Sequence, residues 1–296
     1  MILFNNNEID KKIASTYSID VINEINHKTN GYVGLNIDSS CGLDVDTKVY
    51  YNEIYTGELY KKYKNSDIVD YFLDNNFVEY FDSLYLPDMQ DSPRYNVKFC
   101  SRTNKDMEQV LNYLSKRIWF FTKYEKEIFG LSKMKISEEK DLEYASLFFM
   151  GLVYKQKVLK TLKCYWLNKH RELPPESSDA YYLSFLENNF REYFVNIIPL
   201  VKRVIENCSA HLWMTGLDFS ENSIEKQKIY VDNPINLFDG LEKSFMDFPD
   251  LQNKINLVKN WHEIHSEFFC EGLAIGQNNK EHITINFYFK LKDCRL

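Results

Sequence analysis

The sequence is short of the residues that interrupt or cross-link a chain. Only 7 Pro and 10 Gly occur among 296 residues, which excludes a collagen-like or Pro/Gly-rich disordered protein. Six cysteines (Cys41, Cys100, Cys164, Cys208, Cys270 and Cys294) are scattered without a Cys-x-x-Cys pair or Cys/His ligand spacing. That pattern argues against a disulfide miniprotein or a zinc framework and reads as reduced thiols. Positive charge is in deficit, with 36 Lys plus Arg against 43 Asp plus Glu and a net charge of −7. Nucleic acid and anionic membranes are therefore not expected as main partners, and any basic site must be local. The N-terminal Met-Ile-Leu-Phe run meets Asn5, too early for a signal segment, and no uninterrupted apolar run approaches the roughly 18 residues of a membrane span. The chain is expected to be soluble and cytoplasmic. Gly-rich phosphate loops, Gly-x-Ser-x-Gly and His-Glu-x-x-His are all missing. His262 and His265, three apart on a helical stretch, have a spacing that can bind metal, but a structural or surface role is the favoured reading.

What is present is apolar bulk: 44% of the chain is hydrophobic, with 21 Tyr and 21 Phe, enough for a sizeable core. An AT-rich genome produces such totals but does not choose positions. The positions alternate between helical and strand patterning. A helical stretch over 8–27 precedes strand patterns at 32–37 and 48–54, and a second at 57–76 precedes 79–86 and 95–102. Met107, Val110, Leu111, Leu114, Ile118 and Phe121 then recur every three or four residues, a helix capped by Asn104. Strands at 146–154 and 159–167 follow, then a long helix after Pro174-Pro175 that Pro199 kinks or restarts. The fourth strand pair is 211–219 and 226–232. Helical residues 235–264, broken near Pro249, lead to the fifth, 268–275 and 282–292. The whole chain, 1–296, reads as one domain.

The hairpins repeat one another. First strands carry Tyr32-Val33-Gly34-Leu35, Phe149-Met150-Gly151-Leu152, Met214-Thr215-Gly216-Leu217 and Cys270-Glu271-Gly272-Leu273. Matching second strands carry Lys48-Val49-Tyr50, Lys163-Cys164-Tyr165, Lys228-Ile229-Tyr230 and Asn286-Phe287-Tyr288. This is an internal repeat of supersecondary units. Period-two alternation puts Ile283, Ile285, Phe287, Phe289 and Leu291 on one face and Thr284, Asn286, Tyr288 and Lys290 on the other. The same alternation places Lys163 with Tyr165, and Lys226 and Lys228 with Tyr230, on the face turned away from the helices. An open sheet shows that face to water. About ten strands with helices on one side more naturally curl into a barrel, whose lumen is then ringed by Lys and Tyr.

This pattern resembles the ABBA prenyltransferases. Met214-Thr215-Gly216-Leu217-Asp218 followed by Lys226-Gln227-Lys228-Ile229-Tyr230-Val231 is similar to a segment of the indole prenyltransferases, and Ser146 to Leu152 resembles a strand of the cyanobactin peptide prenyltransferases. The resemblance implies an α+β fold: a ten-stranded antiparallel β-barrel of five α-β-β-α repeats inside a ring of helices, with the substrate site in the lumen. It implies an enzyme that moves a dimethylallyl, geranyl or longer prenyl group from its diphosphate to an indole or phenol. A peptide side chain is the alternative acceptor, and a non-catalytic ligand-binding barrel the alternative from another class. Lysines Lys48, Lys98, Lys163, Lys226 and Lys228, with Lys290 and Arg102, are the candidates to hold the diphosphate by charge-assisted hydrogen bonds. Tyr50, Tyr165, Tyr230 and Tyr288 are the candidates to shield an allyl cation. Asp38 is the first candidate base and Asp218 the second. Cys100 and Asn286 depart from the pattern, which otherwise has a Tyr and a basic residue there. No cofactor is required by the sequence: no Asp-Asp pair supplies a helical prenyl synthase's magnesium site, although Mg2+ use stays open. A monomer or homodimer is expected.

Overall fold

A computed structural model describes residues 7–16, 31–53, 67–75, 77–85, 94–99, 104–133, 147–155, 158–168 and 173–292. Within them the strands are β1 (Gly31–Asp38), β2 (Asp46–Glu53), β3 (Val78–Tyr85), β4 (Arg94–Phe99), β5 (Leu147–Lys155), β6 (Val158–Leu167), β7 (His211–Ser220), β8 (Ile224–Asp232), β9 (Phe268–Asn278) and β10 (Ile283–Leu291). Every pairing is antiparallel; consecutive strands pair with one another, and β1 pairs also with β10, so the sheet closes into a barrel. Helices precede or follow the hairpins: α1 (Glu8–Thr16), α2 (Asp67–Asp74), α3 (Asn104–Arg117), α4 (Glu125–Ser132), α5 (Pro175–Asn189), α6 (Arg191–Phe194), α7 (Ile198–Cys208), α8 (Leu237–Ser244) and α9 (Pro249–Ile264). The α+β reading holds. Residues 17–27 and 57–66 of the expected helices lie outside the described residues.

Two helix boundaries differ from the sequence reading. The apolar spacing carries the helix from Met107 to Phe121, but α3 stops at Arg117 and a 3-10 turn covers Phe121–Tyr124. Ile118 and Phe121 remain buried, because a three-residue period satisfies a 3-10 turn as well as an α-helix. The long helix after Pro174 ends at Asn189, well before Pro199, which sits in the first turn of α7. Proline fits there because a first-turn amide has no intrahelical partner to lose.

The two faces of the sheet have separate apolar clusters. The large one joins strand residues such as Leu162, Cys164, Trp166, Ile229, Val231, Ile285 and Phe287 to helix residues such as Leu186, Val201, Leu241 and Trp261. It is the core between barrel and helices. Trp166 donates from Nε1 to the Ser132 hydroxyl at 2.9 Å, and that hydroxyl donates to the Ile128 carbonyl at 2.6 Å, which fixes α4 to the barrel wall. The small cluster is Phe149, Tyr165, Met214, Tyr230 and Ala274, with Trp213 and Tyr288 against it. It contains strand residues only, and these lie on the opposite parity, so it lines the lumen.

Candidate active site

Register builds the lumen as three adjoining rows. Lys163, Asp218, Lys226 and Asn278 stand opposite one another on β6 to β9. Two residues along each strand, Tyr165, Gly216, Lys228, Gly276 and Thr284 form the next row, which reaches β10. Two further on come Met214, Tyr230, Ala274 and Asn286. Successive rows on one face are separated by about 7 Å of strand rise. The wall thus passes from ionic to aromatic within the length of a small ligand.

Asp218 is the centre of the ionic row. Its side chain is 1% exposed, and its Oδ2 accepts from both the Lys163 ammonium and, at 3.4 Å, the Lys228 ammonium, whose side chains are 14% and 10% exposed. Two cations share one carboxylate. Lys226, half-buried, stands across the strand pair from Asp218, so the described part of the row carries more positive than negative charge.

Two of the three ring contacts in the aromatic rows are edge to face and the third is tilted. Tyr165 and Tyr230 have ring centroids 5.9 Å apart at 75°, Trp213 and Tyr230 are 6.4 Å apart at 87°, and Tyr230 and Tyr288 are 5.9 Å apart at 30°. Such contacts orient ring edges and faces in a defined way. Burial, and then the neighbouring Tyr288 and Tyr165 and the charge on Asp218, push the Tyr230 hydroxyl well above its ordinary value. It stays a protonated donor at any neutral pH.

Two lumenal glycines have a steric role, Gly216 of the repeat and Gly276. Gly34 stands opposite Lys48, Gly151 opposite Lys163 and Gly216 opposite Lys228. A Cβ on Gly216 would lie 2.8 Å from Cδ1 of Tyr165 and 3.3 Å from Cε2 of Tyr230. One on Gly276 would lie 2.9 Å from Cγ of Lys228. Glycine leaves the volume that these rings and the lysine stem occupy.

The structure brings together Lys163, Lys228, Asp218, Tyr165, Tyr230 and Tyr288, with Lys226 beside them. Lys290 pairs with Glu271 at 3.6 Å instead. Lys48, Tyr50 and Lys98 have their backbones in β2 and β4, and their side chains are not described. Arg102 and Cys100 lie outside the described residues. Asp38 sits at the end of β1 and accepts from the Ser40 amide at 3.1 Å and the Lys254 ammonium at 3.0 Å. Burial raises its pKa, but hydrogen bonds from Ser40 and Lys254 outweigh it and hold the carboxyl below its ordinary value. His262 bonds the Phe268 carbonyl at 3.1 Å and His265 bonds buried Asp10 at 2.9 Å. Among the described residues no group of three His, Cys, Asp or Glu side chains is placed to hold a metal ion, and no helix is long and apolar enough to cross a membrane.

Phe149 and Met214 are lumenal residues that the sequence reading did not single out. The alternation of Phe149 with Gly151 was a usable signal. Of the bulky strand residues, Trp166 and Phe287 belong to the outer core. Trp213 joins the lumenal cluster beside its own neighbour Met214 because the register shifts between Leu212 and Met214, and a bulge lets consecutive residues share a face.

No protein-family model matches the chain, and no curated protein matches it. Solved structures do. NotF in complex with brevianamide F and DMSPP is 10% identical, with 90% of this chain and 81% of that one covered, at a TM-score of 0.61. AnaPT from Neosartorya fischeri is 9% identical over 88% of this chain and 78% of that one, with a TM-score of 0.55. The 6-dimethylallyltryptophan synthase from Micromonospora olivasterospora, in complex with DMASPP and Trp, is 10% identical over 88% and 82% of the two chains, also at 0.55. The chain shares the ABBA fold of these indole prenyltransferases.

Proposed function

We propose that this protein is a prenyltransferase that moves a dimethylallyl or longer prenyl group from its diphosphate to an electron-rich aromatic acceptor, an indole or a phenol, in the barrel lumen. The observation that carries this reading is the junction of the Lys163–Asp218–Lys228 ion cluster with the Tyr165, Tyr230, Tyr288 and Trp213 rings on one lumenal face. Allylic diphosphates need both halves. As the bond between the allyl carbon and the diphosphate oxygen breaks, the electron pair leaves with the diphosphate, and Lys163, Lys226 and Lys228 stabilise that charge in a site screened from water. Lys48, Lys98, Lys290 and Arg102 are further diphosphate ligands in this reading. The allyl cation is then bounded by ring faces that attract it and exclude water, with Tyr50 completing the shield.

The acceptor ring forms the new carbon–carbon bond and loses a proton. Asp38, one third exposed and ionised by its Ser40 and Lys254 partners, is the acceptor of that proton. A carboxylate of low pKa is a weak base, but a prenylated arenium ion is a strong acid, so transfer is downhill. Lysines supply the diphosphate's neutralisation here; withholding Mg2+ tests whether they suffice.

The test is a mass-spectrometric assay with dimethylallyl, geranyl and farnesyl diphosphates against tryptophan, tyrosine, simple phenols and a cyclic Tyr/Trp peptide, with and without Mg2+. A mass gain of one prenyl unit on an aromatic acceptor is expected, with diphosphate release that falls steeply in Lys163→Ala and Lys228→Ala. Diphosphate binding without turnover of any donor or acceptor makes the protein a ligand-binding barrel and overturns the reading. A gain on the peptide alone moves the acceptor to a peptide side chain.

A further inference from the structure

We infer that Asp179 is a positioning residue for the lumenal wall: from α5, outside the barrel, it holds the bulge in β7 that turns Trp213 inward, and through Trp213 it sets which length of prenyl chain the lumen accepts. The effect on chain length rests on the proposed prenyl transfer; the hold on Trp213 does not.

The bulge is what places Trp213. Leu212 stands opposite Val231 and Met214 opposite Tyr230, which leaves Trp213 as the extra residue of β7. In an unbroken strand Leu212 and Met214, two apart, share a face. Here Leu212 is buried in the core between barrel and helices, whereas Met214 joins the lumenal cluster. Trp213 packs against that cluster, its ring 6.4 Å from that of Tyr230. A bulge one residue out of place would give Trp213 to the outer core and Leu212 to the lumen.

The bulge is fastened from outside. The Asp179 carboxylate is buried, with Oδ1 accepting from the Leu212 amide at 3.0 Å and Oδ2 meeting Nδ1 of His211 at 3.0 Å. It thus grips the two residues that precede the extra one. On the other side, the Trp213 carbonyl accepts from the Asn168 amide at 2.9 Å, and the Thr215 hydroxyl donates to Oδ1 of Asn168 at 3.2 Å. α5 reaches this second fastening too, through the Ser178 hydroxyl on the Asn168 carbonyl at 3.3 Å. Backbone held before and after Trp213 gives its ring one orientation, which a wall that measures a ligand requires.

Position along the strand gives the consequence. Met214 and Asp218 lie at opposite ends of the lumenal face of β7, separated by about 14 Å of strand rise, and Trp213 is at the Met214 end. A diphosphate held in the ionic row directs its chain along the aromatic rows toward Trp213. A dimethylallyl group ends short of the indole, and a longer chain meets it.

The experiment uses the whole protein with Asp179→Ala, Asp179→Asn, Trp213→Ala and the Asp179→Ala/Trp213→Ala double variant, each checked as folded by circular dichroism. Labelled with fluorotryptophan, the protein's 4 Trp residues give separate fluorine resonances, and Trp213→Ala identifies that of Trp213. Asp179→Ala is expected to move the Trp213 resonance and leave those of Trp119 and Trp261 in place. Asp179→Asn, which keeps an oxygen for the Leu212 amide, is expected to restore it. In turnover, the ratio of kcat/KM for geranyl to that for dimethylallyl diphosphate is expected to rise about ten-fold in Asp179→Ala and in Trp213→Ala, with no further rise in the double variant. Asp179→Asn is expected to keep the wild-type ratio. An unmoved Trp213 resonance in Asp179→Ala overturns the inference, as does an equal loss for both donors or a further gain in the double variant. Where Asp179→Ala does not fold, Asp179→Ser is read in the same way; failure of both to fold makes Asp179 a residue of stability alone and also overturns it. The two readings fail separately. No turnover of any donor by wild type removes the proposed prenyl transfer, while the fluorine spectra still decide whether Asp179 holds Trp213.

Discussion

Two buried lysine–aspartate clusters in this molecule use the same side chains to opposite ends. Lys254 on α9, 1% exposed, donates to the Asp38 carboxylate at 3.0 Å and to the carbonyls of Asp38 and Ser40 at 2.9 and 3.0 Å. The ammonium also reaches the Ser40 hydroxyl at 3.5 Å, one charge meets one charge, and the β1–β2 turn is tied to the helix layer. In the lumen, Lys163 and Lys228 share a single oxygen of Asp218, and Lys226 stands beside them. Each cluster has one fully buried partner, Lys254 in the first and Asp218 in the second, while Asp38 is 31% and Lys163 14% exposed, so burial of a charge does not distinguish a clamp from a site. The setting does: the first cluster ties a turn to the helix layer, and the second stands in a lumenal row with a further lysine, Lys226, across from Asp218.

The largest effect expected from breaking this comparison is a crossed outcome. Lys254→Met leaves two carbonyls without their ammonium donor and the Asp38 carboxylate with Ser40 alone, and is expected to cost about 3 kcal/mol of stability by chemical denaturation. Activity per folded molecule should fall less than in Lys228→Met, because Asp38, the proposed proton acceptor, loses one of the partners that keep it ionised but keeps Ser40. Lys228→Met leaves Asp218 its bond from Lys163, so stability is expected to change little, whereas prenyl transfer should fall by about 100-fold or more because a diphosphate donor is gone. If Lys228→Met unfolds the protein and Lys254→Met does not, the two clusters have been assigned the wrong way round.

Two glycines sharpen the same contrast at smaller scale. A Cβ on Gly240 in α8 would lie 2.6 Å from Cys208 Sγ and 2.7 Å from the Asn207 carbonyl oxygen. Backbone on α7 has to move, so Gly240→Ala is expected to cost about 1–3 kcal/mol in the denaturant midpoint. At Gly216 the obstacle is the edge of the Tyr165 ring, 2.8 Å from the added carbon, beside a lumen into which a ring can turn. Gly216→Ala is expected to cost less stability than Gly240→Ala and to weaken prenyl-donor binding several-fold. Equal losses of stability at both sites would mean that the lumen is packed as tightly as the outer core.

How far each cluster could be read from sequence follows from how far its partners are apart in the pattern. The lumenal set is written locally: Lys163 and Tyr165, or Lys228 and Tyr230, sit two apart on a strand, and alternation alone assigns them one face. The repeated glycines were visible as a period, yet the purpose of Gly216 was not, because it lies in the volume of the Tyr165 and Tyr230 rings on neighbouring strands. The clamp was not legible. Lys254 meets Asp38 across 216 positions of sequence, and a lysine in an amphipathic helix ordinarily reads as solvated. Trp213 escaped for a different reason: a bulge breaks the parity on which the reading of faces depends. Helix ends escaped where a 3-10 turn continued the apolar spacing beyond α3.

The smallest effect expected is in the acid limb of stability, where carboxylates outside the lumenal lysine cluster differ in sign. Asp38 has its pKa lowered from 3.8, because bonds from Ser40 and Lys254 outweigh the opposing effect of burial. The unfolded chain therefore binds more protons than the folded one in that window, and stability rises with pH through it. The contribution is complete above about pH 4 and is lost as the pH falls through the folded value. Asp179, bonded to the His211 ring at 3.0 Å and the Leu212 amide at 3.0 Å, is raised instead, because burial outweighs those bonds. Its folded form holds the proton longer, so stability falls as pH rises from 3.8 through its folded value. Urea unfolding between pH 3 and 6 should accordingly show a shallower acid loss for Asp38→Asn than for wild type, and a steeper net rise with pH for Asp179→Asn. Parallel curves for wild type and Asp38→Asn would mean that the clamp is held by the Lys254 bonds to the two carbonyls, with the carboxylate adding nothing.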